Sequence, residues 1–89
     1  MDDPKTIRSA IFEVIENQMR DGTPPETKET YDRLLSEGYS KEETMKYIAC
    51  VVSLEIFGVL KEKRTYNNDS YVNSLKALPK LSWENDNST

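Results

Sequence analysis

Histidine is absent from the 89 residues, cysteine occurs once and glycine three times. Without histidine there is no zinc site of the usual kind, no Ser-His-Asp or Cys-His nucleophilic pair, and no Glu-x-x-His ligand motif of the di-iron bundles. Three glycines cannot supply a glycine-rich phosphate loop. The single thiol, Cys50, has no partner for an internal disulfide; inside a helical stretch it reads as a small buried hydrophobe. Long apolar runs are missing too, since Glu55 and Gly58 interrupt the longest one well short of the roughly 18 to 20 residues that span a bilayer. The opening Met-Asp-Asp-Pro has no basic segment followed by an apolar core, so a cytoplasmic protein without a secretory signal is expected. Positive charge is the scarcer sign, 12 basic against 16 acidic residues for a net charge of −4. Nucleic-acid affinity comes from basic groups that displace counterions, so such binding would need a local basic patch.

What is present is 36% apolar and 31% charged residues, the composition of a folded soluble domain rather than a disordered chain. The expected organisation is a single helical domain over residues 1–79 and a mostly disordered tail over 80–89. Asp3-Pro4 reads as an N-cap followed by a first-turn proline, and Ile7, Ala10, Ile11, Val14, Ile15 and Met19 recur at helical spacing, so a helix is expected over 4–20. Glu16 and Arg20 stand four apart, the order of a helical ion pair. Thr23-Pro24-Pro25-Glu26 reads as a capping box that starts a second helix at Pro24, with Glu29 and Arg33 paired on its outer side. Gly38 supplies a left-handed stop, with Tyr39 in the place of the apolar contact of a Schellman turn. Ser40-Lys41-Glu42-Glu43 is a second capping box, opening a long helix to about residue 64. Asn68 reads as the cap of a short fourth helix that Pro79 ends.

The long helix dominates the pattern. Met45, Ile48, Ala49, Val52, Ile56, Val59 and Leu60 make one apolar face, with Tyr47, Cys50, Val51, Leu54 and Phe57 on the other side. A helix apolar on most of its circumference belongs inside. The fold class expected is therefore all-α: a compact four-helix domain whose third helix, about 40–64, is packed by three shorter ones.

Several motifs, in order, resemble a small bacterial helical domain family of unknown function: Pro24-Pro25-Glu26-Thr27, Tyr31, Arg33-Leu34, Glu37-Gly38-Tyr39-Ser40, Glu43, Ile48, Glu55-Ile56, Tyr71, Leu75 and Leu78-Pro79. The resemblance covers residues 23–79. Thr23 stands in place of an asparagine cap and Thr44 in place of an alanine. The family brings no established activity, cofactor or catalytic residue, and its pattern is mostly caps, turn glycine and apolar positions.

The remaining chemistry is sparse. Glu55 falls at the border of the long helix's apolar face, where an acid should be snorkelling, paired or functional. Glu13 and Glu16 share a face but fall short of the six or more oxygens a hard cation usually takes. Lys61, Lys63 and Arg64 complement the negative end of the helix dipole, and form a corner that could touch RNA or an acidic protein. A recognition-helix reading of the hairpin at Gly38 fails because Glu42 and Glu43 would meet the phosphates. Tyr47, Leu54, Phe57, Tyr66 and Trp83 exceed what three short helices can cover. No catalytic residue, cofactor or metal is expected. The reading is a non-catalytic interaction module that meets an unidentified protein or its own copy, with Glu55, Tyr66, Trp83, Lys61, Lys63 and Arg64 as interaction candidates. The alternative is a nucleic-acid accessory module using the basic corner, and less favoured still is an enzyme relying on a carboxylate.

Overall fold

In the computed structural model, which describes residues 6–63 and 65–81, the chain forms four helices: α1 (Ile7–Asp21), α2 (Pro25–Ser36), α3 (Lys41–Glu62) and α4 (Asn68–Ala77). α3 is the longest and packs against the other three; α1 and α4 each pack against both α2 and α3. The core is Ile11 and Ile15 of α1, Leu34 of α2, Ile48, Val51 and Val52 of α3, Tyr71 and Leu75 of α4, then Leu78 and Leu81. Leu81 thus belongs to the packed body, while Trp83 and Arg64 lie outside the described residues.

The chain's punctuation sets the boundaries. Thr6 caps α1, its hydroxyl accepting from the Ser9 amide at 3.0 Å; the expected Asp3 cap lies outside the described residues. Gly22, at φ 71°, closes α1 in the left-handed region that costs glycine least. α2 does not begin with the capping box read at Thr23. Its N-cap is Pro24, which offers no side-chain acceptor, and the Thr23 hydroxyl turns back to donate to the Asp21 carbonyl at 3.4 Å. The end of α2 is a Schellman motif. Tyr39 N–H donates to the Leu34 carbonyl and Gly38 N–H to that of Leu35, both at 3.1 Å, with Gly38 at φ 105°. Tyr39 then packs edge-on against Tyr47, ring centres 5.5 Å apart, which fixes the corner between α2 and α3. The box that opens α3 is complete: Glu43 N–H donates to Ser40 Oγ and Ser40 N–H to Glu43 Oε1, each at 3.0 Å. α4 is capped by Asn67 rather than Asn68, Asn67 Oδ1 accepting from Ser70 N–H at 3.0 Å.

Two expected ion pairs re-form elsewhere. Arg20 contacts its neighbour Asp21 instead of Glu16. Arg33 leaves Glu29 for Glu37, and its other nitrogen donates to the Leu75 carbonyl at 3.2 Å. The last turn of a helix offers carbonyls without intrahelical partners, and a guanidinium satisfies them while offsetting the dipole. Arg33 is therefore a link between α2 and α4, not a solvated surface charge.

α3 departs most from expectation. Its buried stripe is Thr44, Ile48, Val51, Val52 and Glu55. At 100° per residue this stripe is turned by roughly 75° from the apolar face expected from the sequence. The count went astray because two of the inward positions carry polar side chains. Ile56 and Leu60, expected inside, are 43% and 71% exposed, and Phe57 and Leu54 on the other flank are 59% and 41% exposed. Cys50 is half-buried rather than fully enclosed. α3 ends at Lys63, a left-handed C-cap at φ 54°.

The stripe makes graded predictions for chemical denaturation. Ile48→Ala should cost about 2 to 5 kcal/mol, Ser40→Ala about 1 kcal/mol, and Ile56→Ala less than about 1 kcal/mol. An Ile56 loss equal to that of Ile48 would contradict the orientation of α3. Thr44 is fully buried with a hydroxyl that no group satisfies. Thr44→Val keeps the shape and removes the orphan, so the unfolding midpoint should rise, by about 1 kcal/mol in stability; a fall would mean the hydroxyl has a partner.

Candidate functional site

Two hollows flank the distal part of α3, and α1 contributes to both. The first is an open trough of about 710 Å³, with Ile7, Ile11 and Phe12 from α1 and Ala49, Cys50, Leu54 and Phe57 from α3 along it. The charged residues lining it are Arg8 and Lys46, both cationic. Arg8 lies over the Phe12 ring at 5.4 Å and Lys61 over the Phe57 ring at 5.5 Å. Each cation thus rests on the face of an aromatic ring, where the ring's quadrupole holds it. Lys46 makes a long surface contact of 3.7 Å with Glu42, which is worth little.

The second hollow is a pocket of about 330 Å³ bounded by α1, α3, the α3–α4 loop and α4. Val14, Val52, Ile56, Val59 and Leu60 make its apolar wall; Gln18, Glu55, Tyr66 and Tyr71 supply its polar atoms. Beside it is a three-helix hydrogen-bond cluster. Thr27 of α2 and Tyr71 of α4 both donate to Gln18 Oε1 of α1, at 2.8 and 2.7 Å, and the two hydroxyls lie 3.4 Å apart. Thr27 and Tyr71 are buried, so these bonds satisfy groups that would otherwise be costly. Glu55, only 8% exposed, accepts from the Asn67 amide at 3.1 Å and so ties the loop to α3. Tyr66 leans on Tyr71, ring centres 6.1 Å apart, and its hydroxyl donates to Asn68 Oδ1 at 3.0 Å.

The sequence candidates separate accordingly. Glu55 and Tyr66 come together at the pocket; Lys61 belongs to the rim of the trough; Lys63 is an exposed helix cap. Arg64, the third residue of the expected basic corner, lies outside the described residues. Gln18, Thr27 and Arg8 were missed. A tyrosine and a threonine on the inward faces of two helices are the readable signal, because buried hydroxyls need partners. Among the described residues no group of three metal-ligating side chains occurs, and no helix is long and apolar enough to cross a membrane. No family model, curated protein or solved structure matches the chain.

Burial raises the Tyr71 hydroxyl above its ordinary value of 10.0, and the neighbouring Tyr66 adds to the rise. Tyr66 is raised as well, by desolvation first and then by the charges of Glu55 and Glu26. A raised folded-state value means that the native chain holds its protons where the unfolded chain releases them. This contribution to stability is complete below about pH 10 and falls as the pH climbs through the folded-state transitions. Ultraviolet difference titration of the chain against Tyr71→Phe should place the Tyr71 transition above pH 10, and the variant should lose less stability between pH 9 and pH 11. An ordinary Tyr71 titration would contradict its burial.

Proposed function

We propose that this chain is a non-catalytic interaction module whose α1–α3 trough receives an amphipathic helix of a partner protein, apolar along one stripe and acidic along its flanks. The observation that carries the reading is the cationic border of an apolar trough in a chain of net negative charge. Arg8, Lys46 and Lys61 stand around Ile7, Leu54 and Phe57, side chains left largely open to water. Helix-in-groove recognition joins an apolar stripe for affinity to flanking charges that set orientation and exclude wrong partners. An acidic flank suits this border, and a basic flank or a nucleic-acid backbone is answered differently: the first is repelled, and the second finds no apolar complement.

The test uses labelled helical peptides of about 18 residues with one common leucine stripe and either glutamate or lysine flanks. Fluorescence anisotropy should show the glutamate peptide binding about tenfold or more tightly at low salt, the gap narrowing as salt rises. Phe57→Asp should abolish binding, and Arg8→Glu with Lys46→Glu should reverse the preference. Equal binding of the two peptides, or binding indifferent to Phe57→Asp, would end the proposal. Light scattering over a concentration series separates a foreign partner from a second copy of the chain: a dimer broken by Phe57→Asp would reassign the trough to self-association.

A further inference from the structure

On the α3 wall of the trough the two cations stand at opposite ends. Lys46 and Phe57 both line it and are eleven positions apart on the helix. Eleven residues make just over three turns, so the two side chains leave α3 within about 20° of each other and about 16 Å apart along its axis. Cys50 and Ser53 fall close to the same line, one and two turns on from Lys46, and line the trough as well. Lys61, a further turn along, folds its ammonium back over the Phe57 ring at 5.5 Å. α3 thus presents a seam with a cation at each end and no charged side chain between them along the trough. The acids of the helix do not occupy this seam. Glu55 and Glu62 lie roughly 160 to 180° round α3 from Lys46, and Glu42, one turn before Lys46, meets it only through the exposed contact of 3.7 Å. Lys46 and Lys61 are both exposed, and each can meet a carboxylate brought from outside.

A helix laid along this seam meets the two cations at one separation. With one acid opposite Lys46, a second acid seven positions on, at about 10 Å, falls short of the far cation. Eleven positions on, at about 16 Å, it reaches the level of Phe57 and has returned to the same flank of its own helix. The apolar residues of that helix fill the turns between, against Leu54 and Phe57, which are left open to water. Charges at both ends fix the register, because a slip of one turn gives up a pairing and brings an acid onto the uncharged middle of the seam. Resting on the trough as a groove for a helix, we infer that the helix it receives carries two acidic residues eleven positions apart on the flank facing α3, one for Lys46 and one for Lys61, and that this spacing selects the partner. Because both ends are cationic, the seam reads the spacing of the acids in either chain direction.

The experiment is fluorescence anisotropy of the full chain with labelled peptides of about 18 residues that share one leucine stripe and differ in the placing of two glutamates, either eleven or seven positions apart, with glutamine at the vacated positions and equal helicity checked by circular dichroism. The eleven-spaced peptide should bind about fivefold or more tightly at low salt, and the gap should close as salt rises. Lys46→Gln and Lys61→Gln change exposed positions, so both variants should keep the unfolding midpoint of the parent chain. Each should cancel the benefit of one glutamate only: with Lys46→Gln the glutamate at one end becomes interchangeable with glutamine, and with Lys61→Gln the glutamate at the other end does. Equal binding of the two spacings while a fully glutamate-flanked peptide still binds, or both lysine variants acting through the same glutamate, would overturn the spacing and leave the helix groove standing. Failure of every glutamate peptide to bind, the fully flanked one included, would overturn both.

Discussion

The structure depends on a mismatch of lengths. At about 1.5 Å per residue α3 is a rod of roughly 33 Å, while α1, α2 and α4 reach only about 22, 18 and 15 Å. Helices that short cannot enclose that rod. They cover its first two-thirds, where Thr44, Ile48, Val51, Val52 and Glu55 face inward, and leave Ile56, Phe57 and Leu60 open. A chain of this size buries a limited share of its surface in any case. The uncovered part is one contiguous end of one helix. The pocket reaches along it through Ile56, Val59 and Leu60, while the trough runs beside the middle of α3, from Lys46 to Phe57.

The short helices are held to the rod by polar ties as well as by apolar contact. Gln18 gathers hydroxyls from α2 and α4, Arg33 of α2 closes the carbonyl end of α4, and Glu55 holds the end of the loop that leads into α4. The groups tied are a buried hydroxyl, a helix-end carbonyl with a lone pair to spare, and a desolvated acid. They also specify one arrangement. α4 has only ten residues, too few to be stable as an isolated helix, and its position is defined at its start by the Asn67 tie, along its length by Tyr71 and at its end by Arg33.

How much of this was legible in the sequence follows from how local each signal is. The Ser40 box, the Gly38 stop with Tyr39 behind it, and the glycine after Asp21 are complete within five or six residues, and they locate the helices. The fold class and the long third helix follow from them. The rotation of α3 is not local. An apolar count places Ile56 and Leu60 inside and Glu55 at the border, whereas the length of the neighbours decides where cover stops, and one partner of Glu55 is the Asn67 amide, twelve residues on. The capping box read at Thr23 fails for a comparable reason, since Thr23 has a competing acceptor in the Asp21 carbonyl. Of the site candidates, Glu55 and Tyr66 were found by chemistry that looked out of place, and Gln18 and Arg8 were passed over because each is ordinary on the surface of a helix.

The open end of α3 is not simply an apolar face in water. Arg8 covers the Phe12 ring and Lys61 the Phe57 ring, and long basic side chains lay their aliphatic stems along such surfaces while keeping their charges hydrated. The trough is thus shielded by its own cations when empty, which reduces the apolar area that would otherwise drive indiscriminate association. An approaching carboxylate offers those cations a stronger partner than a ring face, and drawing them outward uncovers the aromatic floor as the acid arrives. Under the proposed function, charge and apolar contact act in sequence, with the charge setting which helices are admitted. The pocket across α1 is of another kind, an apolar wall with Gln18, Glu55, Tyr66 and Tyr71 supplying its polar atoms. Two hollows of different lining therefore lie on opposite sides of one incompletely sheathed helix.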